Sequence, residues 1–260
     1  MQILQGHIYD YPKYYDLVYG SDWKAEFDFL TGCFQRFYNR QVKTLFEPAC
    51  GTGRLLIKLA QAEFSVSGLD INPNAVKFCN DRLRKKGFPE SAFLGDMADF
   101  RLNKKADIAF NTINSFRHLA SEAQAESHLQ CVANCLKKDG LYILGLHLSP
   151  TVGERVDGEE WSARRGNLAV ISSLWSESID WEKRREDIGM SFDVYTPTKQ
   201  FRIEDRMSYR TYTKKQFENL LECTHVFDIV ELFDFSYDLT EPIELTESTE
   251  DVVFILQNKL

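Results

Sequence analysis

No apolar run in the 260-residue sequence is long enough to cross a bilayer. The run LYILGL at 141–146 is among the longest, whereas a membrane helix needs roughly 20 such residues. The N-terminal stretch MQILQGHIYDYPKYYD has no basic segment followed by an apolar one, so it does not resemble a secretion signal. The six cysteines contain no CxxC pair, which argues against disulfide and metal-knuckle proteins. We therefore expect a cytoplasmic protein with reduced thiols, no metal site and no membrane partner.

An excess of positive charge is also missing, as are internal repeats and low-complexity linkers. The chain has 31 Lys and Arg against 39 Asp and Glu, a net charge of -8, whereas nucleic-acid binders usually carry a basic face. Hydrophobic residues at 43% and charged residues at 27% are typical of a globular chain. We expect one large domain, with or without an insertion, that is a monomer or homodimer and has no nucleic-acid partner.

Between residues 42 and 149 the sequence alternates short apolar runs with helical segments. The runs are apolar on both parities, as strands buried on both faces are. Leucines at helical spacing follow Arg54, Asn72 and Pro73 form a helix start, and Ser121 to Gln124 is a capping-box sequence. Repeated strand–helix–strand units predict an α/β fold with a doubly wound, Rossmann-like parallel sheet. The predicted strands are 42–49, 64–70, 91–96, 106–112 and 140–148.

The pattern changes after Pro150, where alternating residues predict antiparallel strands with one wet face. Three of the four tryptophans, Trp161, Trp175 and Trp181, lie in this interval. Their rings could form an aromatic cage over a ligand, or they could simply pack within a small sheet. The predicted strands here are 168–175, 188–194, 201–203 and 207–209.

A second capping-box sequence, Thr213 to Gln216, opens a helix over 217–222. Two last apolar runs, 226–235 and 252–256, then complete a sheet of seven strands as an antiparallel edge pair. The prediction is therefore a core domain of residues 1–149 and 213–260, with a β-rich insertion, residues 150–212, after strand five.

The segment Glu47-Pro-Ala-Cys-Gly-Thr-Gly53 ends the first core strand and opens a helix. Its two glycines let the backbone turn sharply and approach a ligand. Asp70 ends the second strand, where a carboxylate can accept hydrogen bonds from ribose hydroxyls, and Asp96 ends the third. Open α/β sheets bind their ligands at these strand ends, so the pattern predicts a nucleoside site.

The type of nucleotide follows from what surrounds this turn. A dinucleotide fingerprint requires a third glycine where the chain has Leu56, and no GK[ST] sequence is present. Glu47 would repel a pyrophosphate but suits a ligand with positive charge. S-adenosylmethionine has a ribose, an adenine, a sulfonium cation and an ammonium group but no phosphate. The loop therefore favours it over a dinucleotide, and an NAD-dependent oxidoreductase is disfavoured.

At these residues the sequence resembles the class I S-adenosylmethionine-dependent methyltransferases, over about residues 40–150. The resemblance implies that the glycine loop wraps the methionine part, that the second strand end binds ribose, and that the third frames adenine. It also implies that the fourth strand end lies beside the methionine and that N-terminal tyrosines cover the cofactor. The cofactor residues so implied are Tyr15, Tyr19, Glu47, Ala49, Gly51, Thr52, Gly53, Asp70, Ile71, Asp96, Met97 and Asn111.

Catalytic candidates are fewer, because positioning supplies much of the rate of methyl transfer and a base is needed only for a protonated acceptor. His118 follows strand four and His147 ends strand five, so each is either a general base or a structural histidine. His128 lies within a predicted helix and is expected at the surface. The sequence Asn-Thr-Ile-Asn at 111–114 lacks the Asn-Pro-Pro-Tyr type of signature, which argues against methylation of nucleic-acid bases.

The predicted function is in-line methyl transfer to a small-molecule acceptor, with the insertion as a cap on the acceptor side. Two alternatives remain open. One is a catalytically silent module that binds S-adenosylmethionine, and the other is an enzyme that transfers a different group, such as an aminopropyl or carboxymethyl group. The mixed charge of the insertion favours a small polar or zwitterionic acceptor over a polyanion.

Overall fold

The computed structural model describes residues 2–21, 23–153 and 158–260; residues 154–157 of the predicted insertion lie outside the described residues. Within these ranges the chain forms two β-sheets and six α-helices. None of the described helices is long and apolar enough to span a membrane. In chain order the elements are β1 (Gln2–Gln5), α1 (Pro12–Tyr19), α2 (Lys24–Phe37), β2 (Thr44–Pro48), α3 (Arg54–Gln61), β3 (Ser65–Asp70), α4 (Pro73–Lys85), β4 (Ala92–Leu94), β5 (Ala106–Asn111), α5 (Glu122–Cys135), β6 (Leu136–His147), β7 (Gly158–Arg165), β8 (Leu168–Asp180), β9 (Arg185–Tyr195), β10 (Gln200–Arg210), α6 (Lys214–Thr224), β11 (Phe227–Phe233) and β12 (Asp251–Asn258).

The larger sheet has the strand order β11-β12-β6-β5-β2-β3-β4. Strands β2 to β6 run parallel to one another, and β12 runs antiparallel to both of its neighbours. The central strands are apolar on both parities because each face of the sheet packs against its own hydrophobic cluster. The predicted fold class, a seven-stranded Rossmann-like sheet with an antiparallel last pair, is confirmed.

The helix starts follow the local sequence signals closely. Asn72 accepts hydrogen bonds from the backbone N–H groups of Asn74 and Ala75 at the start of α4. Thr213 and Gln216 form a complete capping box at the start of α6. At α5 the predicted box is only half formed, because the Gln124 side chain accepts its bond from the backbone N–H of Ala120 rather than from that of Ser121.

The smaller sheet has the order β1-β10-β9-β8-β7, with antiparallel pairing from β7 to β10. The two predicted runs 201–203 and 207–209 are parts of the single strand β10. β1 joins the opposite edge and runs parallel to β10. The N-terminal strand, predicted as part of the core domain, thus lies in the second sheet, while the boundaries at 150 and 212 stay a prediction.

A third hydrophobic cluster joins the N-terminal segment to the smaller sheet. Leu17 and Val18 of α1 pack with Met190 and Phe192 of β9. On the other side, Asp16 of α1 accepts hydrogen bonds from Thr52, in the glycine loop, and from an arginine of α4. Helix α1 therefore packs on the smaller sheet on one side and contacts the glycine loop and α4 on the other.

Candidate functional site

A cavity of about 780 Å³ lies where the carboxyl ends of the parallel strands face α1 and the smaller sheet. The carboxyl ends of parallel strands meet at one edge of a sheet, so the residues that follow β2, β3, β4 and β5 come together there. Most of the predicted site residues line this cavity. They are Tyr15, Tyr19, Ala49, Gly51, Thr52, Asp70, Ile71, Asp96, Met97, His118 and His147.

The two glycines of the loop after β2 have different tasks. Both have the left-handed backbone conformation, with φ of 52° at Gly51 and 69° at Gly53. A Cβ on Gly51 would meet no atom within 4 Å, and this residue lines the cavity. A Cβ on Gly53 would lie 2.3 Å from the sulfur of Cys79 in α4, and Gly53 does not line the cavity. Gly51 thus brings backbone to the cavity, whereas Gly53 allows close helix packing.

Asp70, at the end of β3, holds this loop in place. One carboxylate oxygen accepts the backbone N–H of Gly51 at 2.8 Å and the other accepts that of Asn72 at 2.8 Å. Burial raises the pKa of Asp70, and the N–H donors of Asn72 and Gly51 oppose that shift. Each carboxylate oxygen keeps a second lone pair, so Asp70 can also accept hydrogen bonds from two hydroxyl groups in the cavity.

Glu47 and Asn111, like Gly53, do not line the cavity. Glu47 is buried, and desolvation raises the pKa of its carboxyl well above the usual range even though Arg54 is near. The side-chain N–H of Asn111 donates to the carbonyl of Pro48 at 2.7 Å. Among the described residues, Glu47 Oε2 and Thr112 Oγ1 are buried without a hydrogen-bond partner, and Thr112 is at the cavity wall.

His128 is buried, so the prediction of a surface residue is wrong. Its Nδ1–H donates to the carbonyl of Met97 at 2.9 Å, and its Nε2 is 2.8 Å from the hydroxyl of Tyr142. The ring faces inward because α5 packs that side onto the sheet. His128 therefore holds the backbone of Met97, which lines the cavity.

The burial of His128 predicts a loss of stability in mild acid. Desolvation lowers its pKa from 6.5 to about 4, so between these values the unfolded chain binds a proton that the folded protein does not. The contribution of the neutral, buried His128 to the free energy of unfolding is complete above pH 6.5. It is lost as the pH falls toward 4, by up to about 3 kcal/mol. Urea unfolding at pH 7.5, 6 and 5 should show this decline in the free energy of unfolding. In His128→Gln the free energy of unfolding should fall less over the same pH range. An equal fall in both proteins would contradict the prediction.

The two candidate catalytic histidines have different surroundings. Nδ1 of His147 contacts the carboxylate of Asp251, and the His147 ring lies edge-on to Phe235 with the centroids 4.9 Å apart. Nε2 of His118 is 3.0 Å from the hydroxyl of Tyr9, and desolvation lowers the pKa of His118 to about 4. Both histidines line the cavity, His118 from the segment after β5 and His147 from the end of β6.

Several lining residues were not predicted as site residues. Tyr9 belongs to the same tyrosine-rich N-terminal stretch as Tyr15, so composition could have indicated it. Tyr209 and Tyr237 had no local signal, because their positions depend on how β10 and the segment after β11 pack. No group of three or more His, Cys, Asp or Glu residues suited to a metal occurs within the described ranges.

Comparison with known proteins places the chain in a family. The sequence model of the methyltransferase domain matches residues 40–186. A putative methyltransferase of Geobacillus sp. (strain WCH70) is 25% identical over 224 residues, which cover 85% of this chain and 87% of the relative. The dTDP-3-amino-3,6-dideoxy-alpha-D-glucopyranose N,N-dimethyltransferase of Streptomyces fradiae is 28% identical over 133 residues, 50% of each chain.

Among solved structures, an S-adenosylmethionine-dependent methyltransferase from Clostridium acetobutylicum ATCC 824 has a TM-score of 0.77 at 18% identity. The match covers 97% of this chain and 96% of that chain, so the two share their whole fold. Because the family model spans more than half of the sequence, the chain belongs to the methyltransferase domain family, as its resemblance to the class I S-adenosylmethionine-dependent enzymes predicts.

Proposed function

We propose that this chain transfers a methyl group from S-adenosylmethionine to an amine nitrogen of a small molecule. The observation that carries the proposal is one cavity with the strand-end residues of the large sheet on one side, Tyr15 and Tyr19 on α1, and the smaller sheet on the other side. The name of the Streptomyces fradiae relative, an amino-sugar N,N-dimethyltransferase, supports nitrogen as the methylated atom. When bound, S-adenosylmethionine supplies a methyl group that its sulfonium already activates.

The residues of the cavity fit this cofactor better than a dinucleotide. Asp70 and Asp96 present carboxylates to hydroxyl and amino donors, and Gly51 leaves open space beside the backbone. Of the lining residues that the structure describes, Arg117 is the one lysine or arginine, and it is paired with Glu186. A pyrophosphate would therefore meet carboxylates rather than cations, whereas a ribose, an adenine and a cationic methionine part find acceptors.

His147 is the better of the two proposed general bases. Its contact with Asp251 puts the ring hydrogen on Nδ1, which leaves the lone pair of Nε2 to accept a proton from a protonated amine. His118 is a weaker base because its pKa is lowered to about 4 and its Nε2 is occupied by Tyr9. When it accepts the proton, the imidazole of His147 becomes positively charged. In this role Asp251 positions the ring and lies beside that charge.

The smaller sheet is proposed as the wall of the acceptor site. Residues of β7, β8, β9 and β10 face the cavity from this side, and α1 packs between this sheet and the glycine loop. The division into a core of 1–149 and 213–260 and an insertion of 150–212 fits this role, with β1 added to the insertion sheet. All six cysteines are free, which supports a reducing, cytoplasmic location. We propose that the protein is a monomer or a homodimer.

The test of the proposal is incubation with S-adenosylmethionine carrying a labelled methyl group and a panel of small amines. Labelled product, with stoichiometric S-adenosylhomocysteine, is the expected result. Binding without transfer to any amine would favour the silent module instead. Transfer of a label placed in the aminocarboxypropyl part, with the methyl group left on sulfur in methylthioadenosine, would favour the other group transferase.

Asp70→Ala should weaken binding of S-adenosylmethionine by roughly tenfold or more, because each hydrogen bond to a charged group contributes on the order of 1.5–3 kcal/mol. The substitution also removes the acceptors of the Gly51 and Asn72 N–H groups, which loosens the loop. Calorimetric titration gives the dissociation constant.

The matched control is Asp228→Ala, which removes an exposed carboxylate from β11 at the edge of the same sheet. This control should bind S-adenosylmethionine as the parent protein does. An Asp70→Ala protein with unchanged affinity and a normal circular dichroism spectrum would overturn the assignment of Asp70 to the cofactor.

A further inference from the structure

A continuous row of aromatic rings lines the cavity; it begins and ends on the smaller sheet and passes through the N-terminal segment and the segment after β5. Neighbouring rings in this row have centroids 4.7 to 5.6 Å apart, and all six line the cavity. In spatial order this aromatic row consists of Trp161, Tyr19, Tyr15, Tyr9, His118 and Tyr209.

The aromatic row keeps its electron-rich faces uncharged. Burial raises the pKa of Tyr9, Tyr15 and Tyr19 above the usual range, so all three are neutral phenols at physiological pH. The hydroxyl of Tyr19 is 2.9 Å from that of Ser172 in β8, which fixes the ring against the smaller sheet. Neutral aromatic faces in a partly desolvated wall attract cations, and ammonium groups most of all when they carry methyl groups.

The charged residues that line the acceptor side of the cavity also favour a cationic ligand. Glu159 of β7 lines the cavity beside the aromatic row, and Glu250 and Asp251 line it near His147. Arg117 is the one lysine or arginine among the described lining residues; its Nη2 donates to Glu186 at 2.5 Å and its Nε donates to the carbonyl of Arg210 at 3.0 Å. The guanidinium of Arg117 is therefore already engaged within the protein.

A phosphate-bearing acceptor would be poorly held by such a wall. Each phosphate needs donors or cations close by, and proteins commonly supply them with uncommitted arginine or lysine side chains. The described part of the acceptor wall instead supplies carboxylates and aromatic faces. The Streptomyces fradiae relative is named for an acceptor joined to dTDP, which has two phosphates. Among the described lining residues of this chain, the one arginine or lysine is already paired, so two phosphates would find no uncommitted cation.

We propose that the acceptor is a small amine that bears a positive charge and no phosphate, recognised by the aromatic row and by Glu159. This inference rests on the proposed function, because it concerns the second substrate of the same cavity. The methylated product is also an ammonium ion, so product and acceptor would share the same recognition.

The test uses the intact chain saturated with S-adenosylhomocysteine and two probes, tetramethylammonium and dTDP. Titration is followed by nuclear magnetic resonance of the N-methyl protons of the first probe and the phosphorus nuclei of the second. We expect saturable binding of tetramethylammonium and none of dTDP over the same concentration range. Saturable binding of dTDP with none of tetramethylammonium would overturn the proposal, as would binding of neither probe.

Variants of two tryptophans locate the probe. Trp161→Leu should weaken tetramethylammonium binding by about fivefold or more, and Trp161→Phe should retain most of it because an aromatic face remains. Trp181 is exposed in the turn between β8 and β9 and does not line the cavity, so Trp181→Leu should bind as the parent does. Equal binding by the parent, Trp161→Leu and Trp181→Leu proteins would overturn the assignment.

Two neighbouring glutamates on β7 give a second comparison, because successive side chains of a strand point to opposite faces. Glu159 lines the cavity and Glu160 does not, so only Glu159→Gln should weaken the binding of tetramethylammonium. A preliminary titration of the protein with S-adenosylhomocysteine alone separates the two levels of inference. Its failure would remove the proposed function and this inference together, whereas its success with failure of tetramethylammonium would remove only the inference.

Discussion

His147→Ala should lower kcat by about a hundredfold or more once an acceptor amine is in hand, while the affinity for S-adenosylhomocysteine stays near that of the parent. General bases typically contribute on the order of 100- to 10,000-fold. His147 lines the cavity, and its Nδ1 contact with Asp251 leaves the lone pair of Nε2 to accept a proton. Single-turnover kinetics measure the methyl-transfer step directly. Added imidazole should restore part of the lost rate, because it supplies a base of the same chemistry to the space that alanine leaves.

The matched comparison is His118→Ala. His118 faces the same cavity, but its pKa is lowered to about 4 and its ring is held by Tyr9 and Tyr209. This variant should raise KM more than it lowers kcat, and imidazole should not rescue it. The kcat of Asp251→Asn should lie between those of the parent and of His147→Ala, because the base remains but its tautomer and orientation are less well held. A His147→Ala protein with full turnover would show that positioning alone suffices.

Glu26→Gln should reduce the free energy of unfolding by about 3–5 kcal/mol, the cost of removing one partner from a buried ion pair. Glu26 of α2 and Arg54 at the start of α3 are both buried, and Arg54 contacts both carboxylate oxygens of Glu26. Without the carboxylate, the guanidinium would be a buried cation at a helix N-terminus, where positive charge is unfavourable. Urea unfolding followed by circular dichroism measures the change.

Asp28 provides the control on the same helix, because it forms an exposed ion pair with Lys24. Exposed pairs contribute roughly 0–1 kcal/mol, so Asp28→Asn should leave the unfolding curve nearly unchanged. Glu26→Gln should also weaken binding of S-adenosylmethionine, since α3 begins directly after the loop that contains Gly51. Equal stability of the two variants would contradict the role given to the buried pair.

Much of the fold was predictable because its signals are local. The alternation of apolar runs with helical segments indicated the parallel sheet, and the caps at Asn72 and Thr213 began helices where expected. Asp70 and Asp96 lie at the cavity as expected, because parallel strands end at a common edge, whereas Glu47 is buried away from it. The difference between Gly51 and Gly53 was not predictable, since it depends on the distance to Cys79 in another helix.

Periodicity, caps and turn glycines depend on neighbours within a few residues, so the chain alone was enough to indicate the methyltransferase sheet and the edge proposed to hold the cofactor. Tertiary packing decided the rest, because the decisive contacts join residues far apart in the sequence. Asp251 reaches His147 across 104 residues, and β1 pairs with a strand about two hundred positions later. His128 faces the core because α5 lies on the sheet, and the aromatic row exists only because α1 packs on the smaller sheet. The edge proposed for the cofactor follows from local rules, whereas the proposed acceptor wall follows from long-range packing.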